Sequence, residues 1–487
     1  MLSDDVLLEI FHFCQETYSE SYYGYEADWH EDWQILVHVC HRWRQVVFAS
    51  PLRLDLRIRC DSRTPARKCL DIWPTFPLLI EDYYLNEGIG IDNINAALEH
   101  PHRVSAIILG EVTGPMLVRM IMVMQEPFPA LENLCLNAPY KSNDIPVLPS
   151  EFLGRSAPCL REIQLQAIPF PGLPVLLLSI SNLLTLSLGD VPQTGYIPPE
   201  AMVAALATLT KLEILYIGFR SPASRPNQIR PPPITRTVLP VLETFDFGGV
   251  REYLEDFVSQ IDAPRLRCIR THYFNQLVDF EIPQLWQFVD RSEDLNQPRC
   301  CLVYFRSDDV SFRAGLSTSL NLSELEPDED YSCQIEVQIR CKGIDWQVSH
   351  LAQALNQIST ASVLSNILHF SIDSDSINHD PEDMDDIGWV QLLRSFSSVQ
   401  TLFVSRELAG HVSRSLENTA ATIAAEVLPA LDMVCLEGQP MTFAHKFISA
   451  RWESGHSVTT VDTKRAFQER LKLYSQDRDT VSDIVWC

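Results

Sequence analysis

The chain has 487 residues, with 64 acidic and 38 basic side chains and a formal net charge of −26. Apolar residues make up 46% and charged residues 21%, which is globular composition and excludes a disordered chain, a collagen or a disulfide miniprotein. So acidic a chain disfavours duplex nucleic acid and anionic membranes, because both are held by Lys and Arg.

At roughly 100–200 residues per domain, the length predicts two to four units or one elongated array. The 13 cysteines are odd in number and scattered, with no C-x-x-C pair and no zinc-like Cys/His array. Free thiols in a reducing compartment follow, so a cytoplasmic or nuclear location is expected. Met1–Asp5 is acidic and lacks the basic region of a signal peptide. The stretch from Ile163 to Gly189 has no charge, but Pro169, Pro171, Gly172 and Pro174 break any helix there. Buried core is the expectation, and no membrane contact.

In chain order, Ser3 or Asp4 is placed to cap a first helix with an acidic first turn. Val6, Leu7, Ile10 and Phe11 recur as an amphipathic stripe. A second helix is predicted over Trp33–Ala49, with Leu36, Val37, Val39, Cys40, Trp43, Val46 and Val47 as its apolar positions. The loop 15–32 between them is rich in Tyr, Glu and Asp. His38, Cys40 and His41 do not make a metal site, since one helical stretch cannot aim all three at one ion.

This pair resembles an F-box. Leu2, Val6, Leu7, Ile10 and Phe11 match the first part of its pattern. Leu36, Val39, Cys40 and Trp43 match the Leu-x-x-Val-Cys-x-x-Trp of the second. Two departures stand out: Ser3 replaces the usual proline, and the inter-helix loop is long.

The body repeats. An L-x-x-L-x-L template, with other apolar residues allowed, recurs at Val104/Ile107/Leu109, Leu131/Leu134/Leu136, Leu160/Ile163/Leu165, Leu183/Leu186/Leu188, Leu212/Leu215/Ile217 and Leu242/Phe245/Phe247. Leu266/Ile269 begins another, which Thr271 breaks. After a gap come Ile367/Phe370/Ile372, Val399/Leu402/Val404 and Leu431/Val434/Leu436. The alternating last pair predicts a short strand with one buried side. Pro129, Pro158, Pro240, Pro264 and Pro429 stand just before blocks. Helices are predicted over Pro115–Glu126, Pro199–Leu209 and Arg251–Ile261. Strand, turn and helix at this period is the leucine-rich-repeat unit, although the usual Asn or Cys after the block is absent: Pro139, Ile168, Val191, Arg220 and Val250 stand there. An α/β domain with parallel strands would also give some of these matches. In the gap, Cys301–Arg306 and Cys333–Cys341 read as longer strands.

The expected fold class is therefore α/β, an F-box-like helical module followed by an irregular leucine-rich-repeat-like solenoid. The module spans 1–50, and a linker or N-terminal cap spans 51–100. Repeats follow at 101–285, irregular repeats with longer strands at 286–363, C-terminal repeats at 364–440, and a cap and tail at 441–487.

Further segments carry a more specific likeness: Phe48–Leu56, Leu70–Pro74, Ala157–Arg161, Pro169–Pro174 and Asp345–Val348. With these, the chain resembles the F-box proteins with leucine-rich-like repeats that are numerous in mushroom-forming fungi (basidiomycetes). The resemblance implies a non-catalytic substrate-recognition adaptor of a Skp–cullin–F-box ubiquitin ligase. Leu2, Val6, Leu7, Ile10, Phe11, Val39 and Trp43 are the candidates to dock the Skp-type adaptor, although some of them must instead hold the two helices together, and the repeats would bind an unidentified protein substrate. The competing expectation is a solenoid scaffold whose N-terminal helices only cap the repeats. No G-x-S-x-G, G-x-x-x-x-G-K or H-E-x-x-H motif is present, so no catalysis, metal or cofactor is expected. The arginine- and proline-rich Arg220–Arg236 is the remaining candidate contact, and nucleic acid is disfavoured as its partner.

Overall fold

In the computed structural model, the described residues run from 2 to 460. Excepted are 17–31, 51–52, 55, 64–65, 74, 84–89, 140–141, 143, 222–234, 275–279, 317–332, 358–361, 376–385, 418–425, 437–444, 454 and 456–457. The chain divides into two compact units, Met1–Leu212 and Glu213–Cys487.

The first unit opens with three helices, α1 (Asp4–Glu16), α2 (Asp32–Val39) and α3 (His41–Phe48). Strands and helices then alternate: β1 (Ile58–Cys60), α4 (Ala66–Ile72), β2 (Leu78–Asp82), α5 (Ile91–Leu98), β3 (Val104–Leu109), α6 (Gly114–Val123), β4 (Asn133–Asn137), β5 (Glu162–Gln166), α7 (Leu173–Leu177), β6 (Thr185–Val191) and α8 (Pro199–Leu206). The six strands pair in parallel and in chain order. A doubly wound domain reverses its strand order, whereas stacked repeats touch only their neighbours. The segment 51–100, expected as linker or cap, already contributes two strands. At its turn into α5, Gly90 has φ +84° and faces the Ser62 carbonyl, which a β-carbon would strike at 2.0 Å.

The second unit contains β7 (Ile214–Phe219), β8 (Thr237–Val238), β9 (Thr244–Gly249), α9 (Arg251–Ser259), β10 (Ile261–Asp262), β11 (Cys268–Tyr273), α10 (Pro283–Asp290), β12 (Cys300–Phe305), β13 (Asp309–Gly315), β14 (Cys333–Arg340) and α11 (Ile344–Asn356). It continues with α12 (Ser362–Ser365), β15 (His369–Ser374), α13 (Asp386–Arg394), β16 (Thr401–Val404), α14 (Arg406–Glu417), β17 (Met433–Leu436), α15 (His445–Glu453) and β18 (Thr459–Thr460). Parallel pairing runs β7–β9–β11–β14 and β12–β15–β16–β17–β18. Between these runs β13 lies antiparallel to both β14 and β12. The chain thus leaves β11, skips two places to β12, and returns through β13 to β14. This meander is why the template fails between 286 and 363. β8 and β10 form a separate parallel pair.

Every complete template block lands on a strand, and its described apolar positions are buried. Thr271 does not end its strand. It is buried on the core side of β11, and its hydroxyl donates to the Glu336 carbonyl at 3.2 Å, which satisfies the polar group. The prolines before the blocks have a shared role. In five repeats the first template residue donates its N–H three residues back: Leu131 to Phe128, Leu160 to Ala157, Leu242 to Leu239, Leu266 to Ala263 and Leu431 to Leu428. Pro129, Pro158, Pro240, Pro264 and Pro429 each occupy the second position of that turn, where a fixed φ near −65° is favoured.

The strand exits replace the missing Asn or Cys ladder. Two residues past Leu109, Leu165 and Leu188, the backbone turns left-handed at Glu111, Ala167 and Asp190, with φ of 52°, 60° and 50°. The next residue in each case, Val112, Ile168 or Val191, is buried. An aliphatic side chain therefore plugs the turn that a polar ladder holds in regular repeats, at a strain of order 1 kcal/mol per left-handed residue. The helices expected over Pro115–Glu126, Pro199–Leu209 and Arg251–Ile261 are present but end two or three residues early. Among the described residues, no helix is long and apolar enough to cross a membrane.

Candidate functional site

The N-terminal helices carry the candidate docking residues. Ser3 caps α1: its hydroxyl accepts from the Val6 N–H at 3.4 Å, and its carbonyl accepts from Leu7 N–H at 3.1 Å. The residue that departs from the F-box pattern thus performs the start of the helix itself. Asp4 and Asp5 follow in the first turn, where negative charge favours the helix dipole.

The predicted second helix is two helices. Cys40 is extended, with φ −160° and ψ 167°, and its Sγ accepts from the Trp43 N–H at 3.5 Å, capping α3. The break lets α2 and α3 fold on each other. Arg44 Nε donates to the Val37 carbonyl at 2.9 Å across the bend. Arg42 joins α3 to α1, pairing Asp4 at 2.7 Å and donating to the Leu2 carbonyl. Arg53 pairs Glu9 and lies 3.8 Å from Asp5.

These clamps divide the sequence-predicted residues into two sets. Leu7 and Phe11 point inward with Leu8, Val37, Val46 and Val47, and all six are buried. The Phe11 and Trp43 rings meet edge to face at 4.8 Å, with Trp43 half-buried. Leu7 and Phe11 are therefore buried inside the module, on the side that holds the helices together. Leu2, Val6, Ile10 and Val39 are exposed. Phe13 and Ile35 are exposed too, and the motif comparison missed both. Phe13 was legible as the next step of the series 2, 6, 10, 13, one turn of helix apart each time. Contiguous exposed apolar side chains on one face mark an interaction surface more than scattered ones do.

The module also covers the end of the repeats. Phe48 of α3 packs on Phe76 at 5.6 Å and on Trp73 at 6.4 Å. His38 of α2 meets Trp73 at 6.4 Å.

The loop 17–31, nearly all of Arg220–Arg236, the acidic stretch at 324–330, most of the one at 373–386, and the tail from Lys464 lie outside the described residues. Within the repeats, the solvent-side positions of β4 and β5 are Asn133, Cys135, Asn137, Glu162, Gln164 and Gln166, largely uncharged. β9, β11, β14 and β13 carry an ionic row, in which Glu336 is buried. Arg270 reaches Asp246 at 3.4 Å and Arg313 reaches Glu336 at 2.9 Å. In sheet register these form one row of alternating sign, Asp246–Arg270–Glu336–Arg313.

No family model matches the chain, and no curated protein matches it. Among solved structures it is similar to the leucine-rich repeat-containing protein LegL7 from Legionella pneumophila, with 9% identity, 86% of this chain and 98% of that one covered, and a TM-score of 0.25. It is also similar to one chain of the Rad7 and Elc1 complex from yeast, with 10% identity, 90% of this chain and 88% of that one covered, and a TM-score of 0.23.

Proposed function

We propose that this protein is a non-catalytic recognition subunit. The N-terminal helices dock onto a Skp-type adaptor of a cullin ubiquitin ligase, and the repeats hold a protein substrate. The observation that carries the reading is the division of the N-terminal apolar residues. One set closes the module internally, while Leu2, Val6, Ile10, Phe13, Ile35 and Val39 remain on its surface. A module that only closed itself would need no second apolar face. Ubiquitin transfer would be supplied by the rest of the ligase, with this chain contributing proximity.

A capping role has its own support in the contacts of Phe48 with Trp73 and Phe76. The two roles are separated by surface substitutions. Ile10→Asp with Val39→Asp should abolish pull-down of a Skp-type adaptor and leave the melting curve unchanged. Wild-type protein that fails to bind the adaptor leaves capping as the module's role.

A further inference from the structure

Resting on that reading, we infer that the docking surface continues from α2 onto α4 and fits a partner face that is apolar at its centre and acidic at its border. Two observations lie outside the F-box-like motif. Trp73, directly after α4, packs on His38 of α2 and Phe48 of α3. Ile72, next to Trp73 in sequence, is 72% exposed, and α2, which Trp73 touches through His38, carries the exposed Ile35 and Val39.

Charge gives the partner's chemistry. Residues 41–72 contain eight basic side chains, Arg42, Arg44, Arg53, Arg57, Arg59, Arg63, Arg67 and Lys68, against Asp55, Asp61 and Asp71. This local positive excess sits in a chain of net charge −26. Part of it is used internally: Arg42 and Arg53 hold the acids of α1, and Arg59 lies 3.6 Å from Glu81. Arg67 only approaches Glu99, at 3.8 Å. Exposed Arg44, Arg63 and Lys68 have no carboxylate partner among the described residues. Lys68 lies one turn before Ile72 on α4, and a cation without a carboxylate partner beside an exposed apolar side chain is matched by carboxylates bordering an apolar face on another protein. A phosphate backbone would match the cations and leave the apolar centre uncovered.

The test measures association and dissociation rates of full-length protein with a recombinant Skp-type adaptor, at low and high salt. Arg63→Glu/Lys68→Glu should slow association about tenfold at low salt and converge on wild type at high salt. Ile72→Ala should speed dissociation about fivefold at either salt. Ile10→Asp is the control for the underlying reading. If Ile10→Asp abolishes binding while both α4-side variants keep wild-type rates, the extension falls and the docking reading stands. Absence of wild-type binding overturns both. Duplex DNA competing off the adaptor through Arg63 and Lys68 would overturn the acidic-protein assignment.

Discussion

The inward and outward sets of α1 give opposite phenotypes, and Ile10 and Leu7 are the sharpest pair. Ile10 is 43% exposed and Leu7 is 4% exposed, three residues apart on one helix. Full burial of an Ile or Leu side chain is worth about 1.5–3 kcal/mol, so covering what Ile10 still exposes is worth about 1 kcal/mol. Ile10→Ala should therefore weaken adaptor binding about fivefold and leave stability within about 0.5 kcal/mol of wild type. Leu7→Ala deletes a buried side chain and should cost about 2–5 kcal/mol of stability. Its effect on affinity should disappear wherever the module is still folded. Calorimetric titration at a temperature where both variants are folded, paired with thermal denaturation, reads both quantities. The division of roles is refuted if Ile10→Ala lowers the melting temperature as Leu7→Ala does while binding stays at wild-type strength.

Three further predictions concern the repeats. Burial pushes the Glu255 carboxyl up to about 7, against the Gln284 and Leu285 N–H groups it accepts at 2.8 and 2.9 Å and the nearby Arg251. A raised folded-state value means its stabilising share is complete below the ordinary carboxyl range near pH 4 and is lost as pH rises through 7. Glu255→Gln should accordingly gain stability relative to wild type between pH 5 and 8, in urea titrations; parallel profiles would contradict this. Arg451 is buried and donates to the Val427, Leu428 and Pro429 carbonyls at 3.1, 3.0 and 2.9 Å, holding Leu428 at φ +49°. Arg451→Met should cost about 3 kcal/mol, and Arg451→Lys should recover only part of it because an ammonium lacks the fork; a loss of under about 0.5 kcal/mol would refute the staple. Burial raises the thiols of Cys60, Cys333 and Cys341 to about 12 and holds that of Cys301 well above the ordinary thiol range, while Cys40 and Cys159 are exposed. Alkylation of native protein followed by peptide mapping should mark Cys40 and Cys159 and spare the other four, and early labelling of Cys301 would count against the fold of β12.

The repeat strands were legible because each needs three apolar side chains at fixed offsets, and Leu160/Ile163/Leu165 has no other use for them. The template demanded a hydrocarbon at 271, yet a threonine whose hydroxyl has a backbone acceptor fits a core. β13 was invisible for another reason. Val310, Phe312 and Ala314 alternate correctly, but an antiparallel return strand has no proline turn or leading leucine ahead of it. The division of α1 was half legible. Helical spacing separates 7, 8 and 11 from 2, 6, 10 and 13, but which face meets the rest of the chain depends on the break at Cys40. A Val-Cys pair inside an apolar helical run gives no local sign of that break.

Docking and capping are not alternatives for this module, and the geometry of α3 is why. Its inner residues Val46 and Val47 are buried, and Phe48 at its end packs on the aromatic pair that closes the first strands. Removing residues 1–50 would strip apolar cover from Trp73 and Phe76 whether or not the outer face ever meets a partner. Aggregation of such a truncation therefore carries no information about adaptor binding. The outer face is separate from this seam. Val6 and Ile10 lie on the side of α1 away from Leu7 and Phe11, so charges placed there leave the cover intact. A cap packed on Trp73 and Phe76 through Phe48 would also hold a docked adaptor in a fixed position relative to the first repeats. Recruitment by proximity needs that fixed geometry, because effective concentration falls when the tether between two sites lengthens or loosens.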